Sequence, residues 1–204
     1  MGAKTRTISN FLTNTTGAGP GMAFLAEYDG SGGSSHSIGP SIMTTDYESF
    51  YCVYRAGNTG SGTSHYRVKF KKSDGTVLNT YNVYTYDQSS SGSFGRGGNA
   101  GYSGNGGNNN AYALLSVNNY VGDLVVGNLW VHNSGMAGGS ATHRNRMSFN
   151  FQGQTHQNGF SGTYNENLNG SGQATADGAC QELEFSYAGG QNIDYNIKIY
   201  GLKK

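Results

Sequence analysis

The sequence predicts an all-β fold, an antiparallel β-sandwich of jelly-roll type with an extended N-terminal arm and a Gly-rich loop. The first observation is composition: 34 of 204 residues are glycine and 2 are proline. So much glycine argues against a helical fold, because each interior Gly costs a helix roughly 1 kcal/mol relative to Ala. Disordered glycine-rich chains are usually also rich in proline. The second observation is a repeated alternation of apolar and polar residues, typical of half-buried strands. The third is 15 Tyr and 9 Phe, enough to fill a core.

Charge and cysteine content narrow the class of protein further. Charged residues make up 12% of the chain and the net charge is +1. We therefore expect no nucleic-acid partner, since that needs a basic patch, and we expect a homo-oligomer, since near-neutral proteins tend to associate. No apolar run has the roughly 20 residues needed to cross a bilayer, so no membrane contact is expected. Cys52 and Cys180 are predicted to be buried free thiols.

Residues 1–40 are predicted to form an N-terminal arm or docking segment, and residues 41–204 the sandwich. Apolar anchors in the arm have no sustained period, and Ile8, Phe11 and Leu12 are candidate docking residues. An extended segment that docks on a neighbour and a locally folded leader both fit this pattern. The basic start, Met1–Ile8, leads into no apolar signal segment, so we expect synthesis in the cytoplasm.

Strands are predicted in order from residue 41 onward. Tyr47–Arg55 is apolar on both faces, and Tyr66–Lys71 alternates apolar residues with a basic outer face. An Asp-Gly pair follows, within Lys72–Thr76, and Val77–Tyr86 is predicted to return as the hairpin partner. Later segments show the same alternation or continuous apolarity: Ala111–Val117, Leu124–His132, Arg146–Gln152, Glu182–Tyr187 and Ile193–Ile199.

A Gly-rich insertion occupies residues 89–110, with glycine at every third position from Gly92 to Gly107. The absence of proline disfavours a collagen triple helix. A short polyglycine-like extended helix and an irregular surface loop both remain open. Tyr, Ser, Gly and Asn also compose adaptable binding loops. The candidate partner or receptor contacts are its side chains with reach: Phe94, Arg96, Asn99 and Tyr102.

The sequence offers little that indicates catalysis. The five histidines show no ligand spacing, so neither a metal nor another cofactor is expected. Glu182 and Glu184 share one strand face about 7 Å apart, a separation that a glycosidase would tolerate. Glutamates on the solvent face of a strand are far commoner, and that interpretation is favoured. We expect no enzyme and no catalytic residue.

Two terminal stretches carry a family resemblance. Ala3–Leu12 resembles the leader of small virion-associated structural proteins of tailed bacteriophages, especially marine ones, and Asn192–Leu202 is similar to their final strand. Asp46–Tyr51 and Gly122–Trp130 fit the same pattern, whereas the glycine triplets depart from it. The resemblance implies a non-enzymatic component of the virion exterior with capsid or tail proteins as partners.

Two functions follow from that resemblance. The first is a capsid decoration (cement) protein, favoured by the small domain without a fibre shaft. The second is a tail- or head-fibre adhesin that binds host glycans through its Tyr/Asn/Gly loop. A free carbohydrate-binding module is a third reading, disfavoured by the missing signal segment.

Overall fold

The computed structural model describes residues 4–6, 21–60, 65–90, 93–97, 111–116, 122–132, 146–156, 165–174 and 178–203. In these ranges the prediction of an all-β protein is confirmed. The described residues form thirteen strands, and their one helical element is a 3-10 turn, Ala188–Gly190.

The strands make two sheets, in which every paired strand is antiparallel to its neighbour. The larger sheet has nine strands in the order β1 (Lys4–Arg6), β2 (Met22–Gly33), β13 (Ile193–Lys203), β4 (Tyr47–Asn58), β9 (Leu124–His132), β10 (Ser148–His156), β11 (Asn165–Ala174), β6 (Thr80–Ser90) and β7 (Ser93–Gly97). The smaller sheet has four in the order β3 (Ser35–Ile38), β12 (Glu182–Tyr187), β5 (Tyr66–Lys71) and β8 (Ala113–Leu114).

The core contains side chains that alternate along strands of both sheets. Phe50, Cys52 and Tyr54 of β4 are buried, as are Leu183 and Phe185 of β12. Rings from the two sheets touch directly: Tyr54 lies 6.3 Å from Phe185 between ring centroids. Each such burial stabilises the fold by roughly 1.5–3 kcal/mol. The aromatic residues therefore fill the interior as the composition predicts.

Several core rings lie directly over strand glycines. Tyr54 of β4 covers Gly127 of β9 and Gly153 of β10, and its hydroxyl donates to the Gln152 carbonyl over 3.4 Å. A Cβ at either glycine would come within 3.0 Å of the Tyr54 hydroxyl oxygen. Glycine inside a strand often marks such a close approach. Three further aromatic–glycine pairs repeat the arrangement: Phe149 with Gly172, Tyr47 with Gly201 and Tyr195 with Gly30. Part of the high glycine content is thus explained by aromatic rings that pack against strand glycines.

The two cysteines are buried and form no disulfide with each other, as predicted. Burial raises the pKa of Cys180 to about 12. Burial also raises the pKa of Cys52, and the proximity of Cys180 adds to that shift. Since the thiolate is the reactive form, both thiols are unreactive in the folded protein.

The Asp-Gly turn forms, but the hairpin predicted around it does not. The Lys72 amide donates to the Thr76 carbonyl over 2.9 Å, and the Thr76 amide donates to the Asp74 carboxylate over 2.9 Å. Beyond the turn, only Val77 and Leu78 stay beside β5. The chain then crosses to the larger sheet as β6. Alternation cannot distinguish a strand that returns beside its predecessor from one that crosses to the facing sheet.

Replacing Gly75 by Ala should lower the free energy of unfolding by about 1 kcal/mol, because Gly75 has φ +81° and a left-handed backbone costs an L-residue about that much. Asn tolerates this conformation better, so Gly75→Asn is the matched control and should lose less. Urea denaturation of the three proteins measures the difference. Equal midpoints for wild type and Gly75→Ala would contradict the prediction.

Two strands of the predicted N-terminal segment, residues 1–40, belong to the two sheets. β2 and β3 both lie in this segment and pair with strands from the C-terminal part of the chain. Of the first 20 residues, only Lys4–Arg6 are described, as an edge strand beside β2. The candidate docking residues Ile8, Phe11 and Leu12 lie outside the described residues.

Part of the predicted Gly-rich loop is a strand. Ser93–Gly97 pairs with the end of β6, opposite Tyr86–Ser90. This strand, β7, is the last of the larger sheet. The remaining glycine triplets, from Gly98 onward, lie outside the described residues.

Candidate functional site

The outer face of the smaller sheet is charged and internally paired. The Lys71 ammonium lies 3.0 Å from the Glu182 carboxylate and 2.7 Å from that of Glu184, and Lys69 contacts Glu184 over 2.9 Å. Arg67 donates to the Ser186 hydroxyl over 3.2 Å. These cross-strand pairs neutralise one another, so this face offers no unpaired carboxylate cluster among the described residues of β5 and β12.

The same pairs decide the chemistry of Glu184. Burial raises the pKa of Glu184, but hydrogen bonds from Lys71 and Lys69 outweigh it, so the net pKa shift is downward. A general acid needs the opposite shift, towards neutrality. The interpretation of Glu182 and Glu184 as glutamates on the solvent face of a strand fits this geometry, in which lysines of β5 pair with both.

The outer face of the larger sheet is different, because part of it is neutral. β9 and β10 contain no Asp, Glu, Lys or Arg, and the one such residue of β11, Glu166, is buried on the inner side. Exposed positions there carry amides, hydroxyls and apolar groups instead. Val83 at the start of β6 has 65% of its surface exposed. A neutral surface of this kind suits contact with an uncharged partner.

A row of aromatic side chains leads across the sheet to this neutral part. The register places Phe24, Tyr200, Tyr51 and Trp130 side by side on β2, β13, β4 and β9. Ring centroids are 5.5 Å apart for Phe24 and Tyr200, 6.1 Å for Tyr200 and Tyr51, and 4.5 Å for Tyr51 and Trp130. Packing between the rings leaves each one half-buried. Trp130 is therefore held in place by its neighbours.

Beyond Trp130, the surface of β9, β10, β11 and β6 forms a shallow concavity, which we call the amide groove. The row of Trp130 continues through Asn150 and Ser171 to Val83, and the next row runs through Asn128, Gln152 and Asn169. The small Ser171 lies between Asn150 of β10 and Val83 of β6. The side chains that line the groove are Val83, Asn128, Trp130, Asn150, Gln152, Asn169 and Ser171.

One wall of the amide groove is fixed by a histidine bridge. His132 Nδ1 lies 3.4 Å from the Ser49 hydroxyl, and Nε2 lies 3.0 Å from the Asn150 Oδ1. With this amide orientation, Nε2–H donates to Asn150, and Nδ1 accepts from Ser49. The Asn150 NH₂ group then keeps its two donors for other partners. The His132 ring also stacks on Trp130 with an interplanar angle of 5°.

A second concavity lies at one end of β2, β4 and β13, with Asp29, Arg55, Asp123 and Asp194 in its lining. Within the described ranges, no three His, Cys, Asp or Glu side chains are grouped so that they could hold a metal ion. The same ranges contain no helix long and apolar enough to span a membrane.

One buried carboxyl group stands apart from the surface charges. Glu166 of β11 is 2% exposed, opposite the buried Thr155, and its Oε2 has no hydrogen-bond partner within the described structure. Burial raises its pKa to about 7, and the nearby Asp123 carboxylate adds to the shift. Glu166 is thus close to half-protonated near neutrality.

Two of the four sequence-predicted contact residues lie within the described part of the chain. Phe94 and Arg96 lie on β7, opposite Ser89 and Asp87, towards the other end of β6 from Val83. Asn99 and Tyr102 lie outside the described residues. The groove residues were missed because they come from four strands that are separated in sequence. Their one sequence signal is the lack of charge in Leu124–His132 and Ser148–His156.

Comparison with protein-family models, with curated proteins and with solved structures finds no match. The resemblance to virion proteins of tailed phages therefore stays a prediction.

Proposed function

We propose that the chain is a non-enzymatic structural protein on the exterior of a tailed-phage virion, a capsid decoration protein that stabilises the particle. It would be made in the host cytoplasm and act in the virion with capsid or tail proteins, and with further copies of itself, as partners. The support comes from strand order, from the character of the surface and from the resemblance at both ends of the chain.

The observation that carries the proposal is the strand order, which we interpret as a jelly roll. β2-β13-β4-β9 form one half of the body and β3-β12-β5-β8 the other. Eight strands in two facing sheets of this kind are typical of viral capsid and lectin domains. Two additions, β6–β7 and β10–β11, then extend one sheet beyond β9.

The surface supports a contact role rather than turnover. Because one fold serves many functions, the surface has to favour the function as well. The paired charges of the smaller sheet keep that face soluble, whereas Val53 and Val83 on the larger sheet are 40% and 65% exposed. Val83, exposed beside uncharged side chains, suits a protein–protein contact. Many copies would together give firm attachment through avidity.

Cryo-EM of particles that carry the chain tests the proposal. A decoration protein should occupy lattice positions over the capsid in many copies, and particles stripped of it should lose heat resistance. A chain absent from purified particles would overturn the proposal. A few copies at the tail or vertices would instead favour the second candidate.

The second candidate is an adhesin of the tail or head fibre that binds host surface glycans. The amide groove is the observation that favours it, since a concavity with a few placed polar groups beside an aromatic ring is the usual form of a small-ligand site.

A further inference from the structure

We propose that the amide groove binds a short neutral oligosaccharide, with Trp130 as the platform on which a sugar ring stacks. This inference deepens the second candidate function and rests on it, by giving the adhesin a site and a ligand class. It places the glycan contact on the sheet face rather than on the Gly-rich segment.

Trp130 has the properties of a preorganised platform. Tyr51 packs beside its ring at 4.5 Å between centroids, and His132 stacks on it at 6.0 Å. Trp130 remains half-buried and lines the groove, so part of the ring is open to a ligand. An aromatic face offers a large apolar area to the C–H groups of a pyranose ring, and the indole N–H adds a polar handle. A ring already fixed by neighbours loses little entropy on binding.

The polar side chains of the groove have unused hydrogen-bonding capacity. Asn128, Gln152, Asn169 and Ser171 make no side-chain hydrogen bond within the described part of the chain. Each amide offers both an acceptor oxygen and two donor hydrogens. Sugar hydroxyls likewise donate and accept. Several amides on neighbouring strands therefore match a ligand that carries hydroxyls at short intervals.

The absence of charge selects among hydrogen-bonding ligands. No Lys, Arg, Asp or Glu is among the described residues that line the groove. A phosphate or sulfate group would call for Arg or Lys, and a nucleic acid would require a basic surface. A neutral, hydroxyl-rich ligand needs neither. The chemistry of the lining therefore favours a neutral saccharide over an anionic one.

The dimensions favour an oligosaccharide over a single sugar. Trp130 on β9 and Val83 on β6 stand at opposite ends of one register row, three strand spacings apart. With about 4.8 Å between neighbouring strands, this row spans about 14 Å. Val83 gives a second apolar contact at the far end. Two or three linked sugar residues would reach from one to the other.

The test measures binding of uncharged hexose oligosaccharides to the isolated chain, first on a glycan array and then by calorimetry on the ligands that bind. Trp130→Ala should weaken binding about tenfold or more, since aromatic residues dominate such contacts. Asn169→Ala, on an exposed strand position, should weaken it several-fold without touching the core. Val53→Ala is the matched control, because Val53 of β4 is exposed on the same face of the larger sheet but lies outside the groove. It should bind like the wild type.

Three results would overturn the inference. They are no binding of any neutral oligosaccharide at millimolar concentration, wild-type affinity in both Trp130→Ala and Asn169→Ala, or binding confined to charged glycans and abolished by salt. Circular dichroism of each variant shows whether it is folded. If Trp130→Ala does not fold, Asn169→Ala still decides the test. The outcome is separable from that of the particle study, because one concerns affinity of the free chain and the other its place in the virion.

Discussion

Gly127→Ala should lower the free energy of unfolding by about 2 kcal/mol, the cost typical of overpacking a dense core. The added methyl group would meet both the Gln152 carbonyl oxygen and the Tyr54 hydroxyl at distances that real Cβ atoms do not show. The carbonyl belongs to the neighbouring strand and cannot swing aside. The Tyr54 ring is held in turn by Tyr66 and Phe185, with centroids 5.8 Å and 6.3 Å away.

Thermal unfolding followed by circular dichroism measures this effect. For a chain of this size, 2 kcal/mol corresponds to a drop in Tm of roughly 4–8 °C. Gly39→Ala is the control, because nothing lies within 4 Å of a Cβ there and its φ is not in the left-handed region. It should leave Tm unchanged or raise it slightly. A Gly127→Ala variant as stable as Gly39→Ala would show that Tyr54 does not lie over β9.

Glu166→Gln should stabilise the protein at pH 8 and have little effect at pH 4. The pKa of Glu166 is about 7 in the folded chain, against an ordinary value of 4.5. A raised carboxyl pKa means that folding favours the protonated form, so its stabilising contribution is complete below pH 4.5. That contribution is lost as the pH rises from 4.5 to 7. Since one pKa unit is worth about 1.4 kcal/mol and the pKa rises from 4.5 to about 7, the gain at pH 8 should be on the order of 3 kcal/mol.

Urea denaturation at pH 4, 6 and 8 provides the measurement, with Glu184→Gln as a contrast of opposite sign. The pKa of Glu184 is lowered by its lysine partners, so its ionised form stabilises the fold. The Glu184→Gln variant should therefore have a lower free energy of unfolding than the wild type at pH 8. If the wild type and Glu166→Gln gave parallel pH profiles, the buried carboxyl would have an ordinary pKa.

The sequence predicts strands that alternate or are continuously apolar, and it misses β11, which is neither. Tyr66–Lys71 and Ile193–Lys203 place every second residue in the core, and both follow the period-two pattern. β11, Asn165–Ala174, has Leu168 as its one large apolar residue and takes its place by pairing with β10 and β6. A strand that buries few apolar side chains of its own, and is held mainly by pairing with its neighbours, leaves no local pattern in the sequence.

The residues of the amide groove could not be predicted from the sequence, for a related reason. Trp130 and Ser171 are far apart along the chain, and only the register through Asn150 places them in one row. Local periodicity assigns a residue to one face of its strand. It does not say which strands lie beside each other, and the groove depends on that order.

The placement of Tyr54 across Gly127 and Gly153 has a consequence for how this chain can change over time. The Tyr54 ring fits because Gly127 and Gly153, on two other strands, have no side chain, so the tyrosine depends on both glycines. A smaller residue at position 54 would not by itself admit a side chain at either glycine, because the backbone carbonyls of Gln152 and Leu115 also lie within 3.0 Å of a Cβ there. Descendants of this protein should therefore keep both glycines even where the residue at position 54 changes.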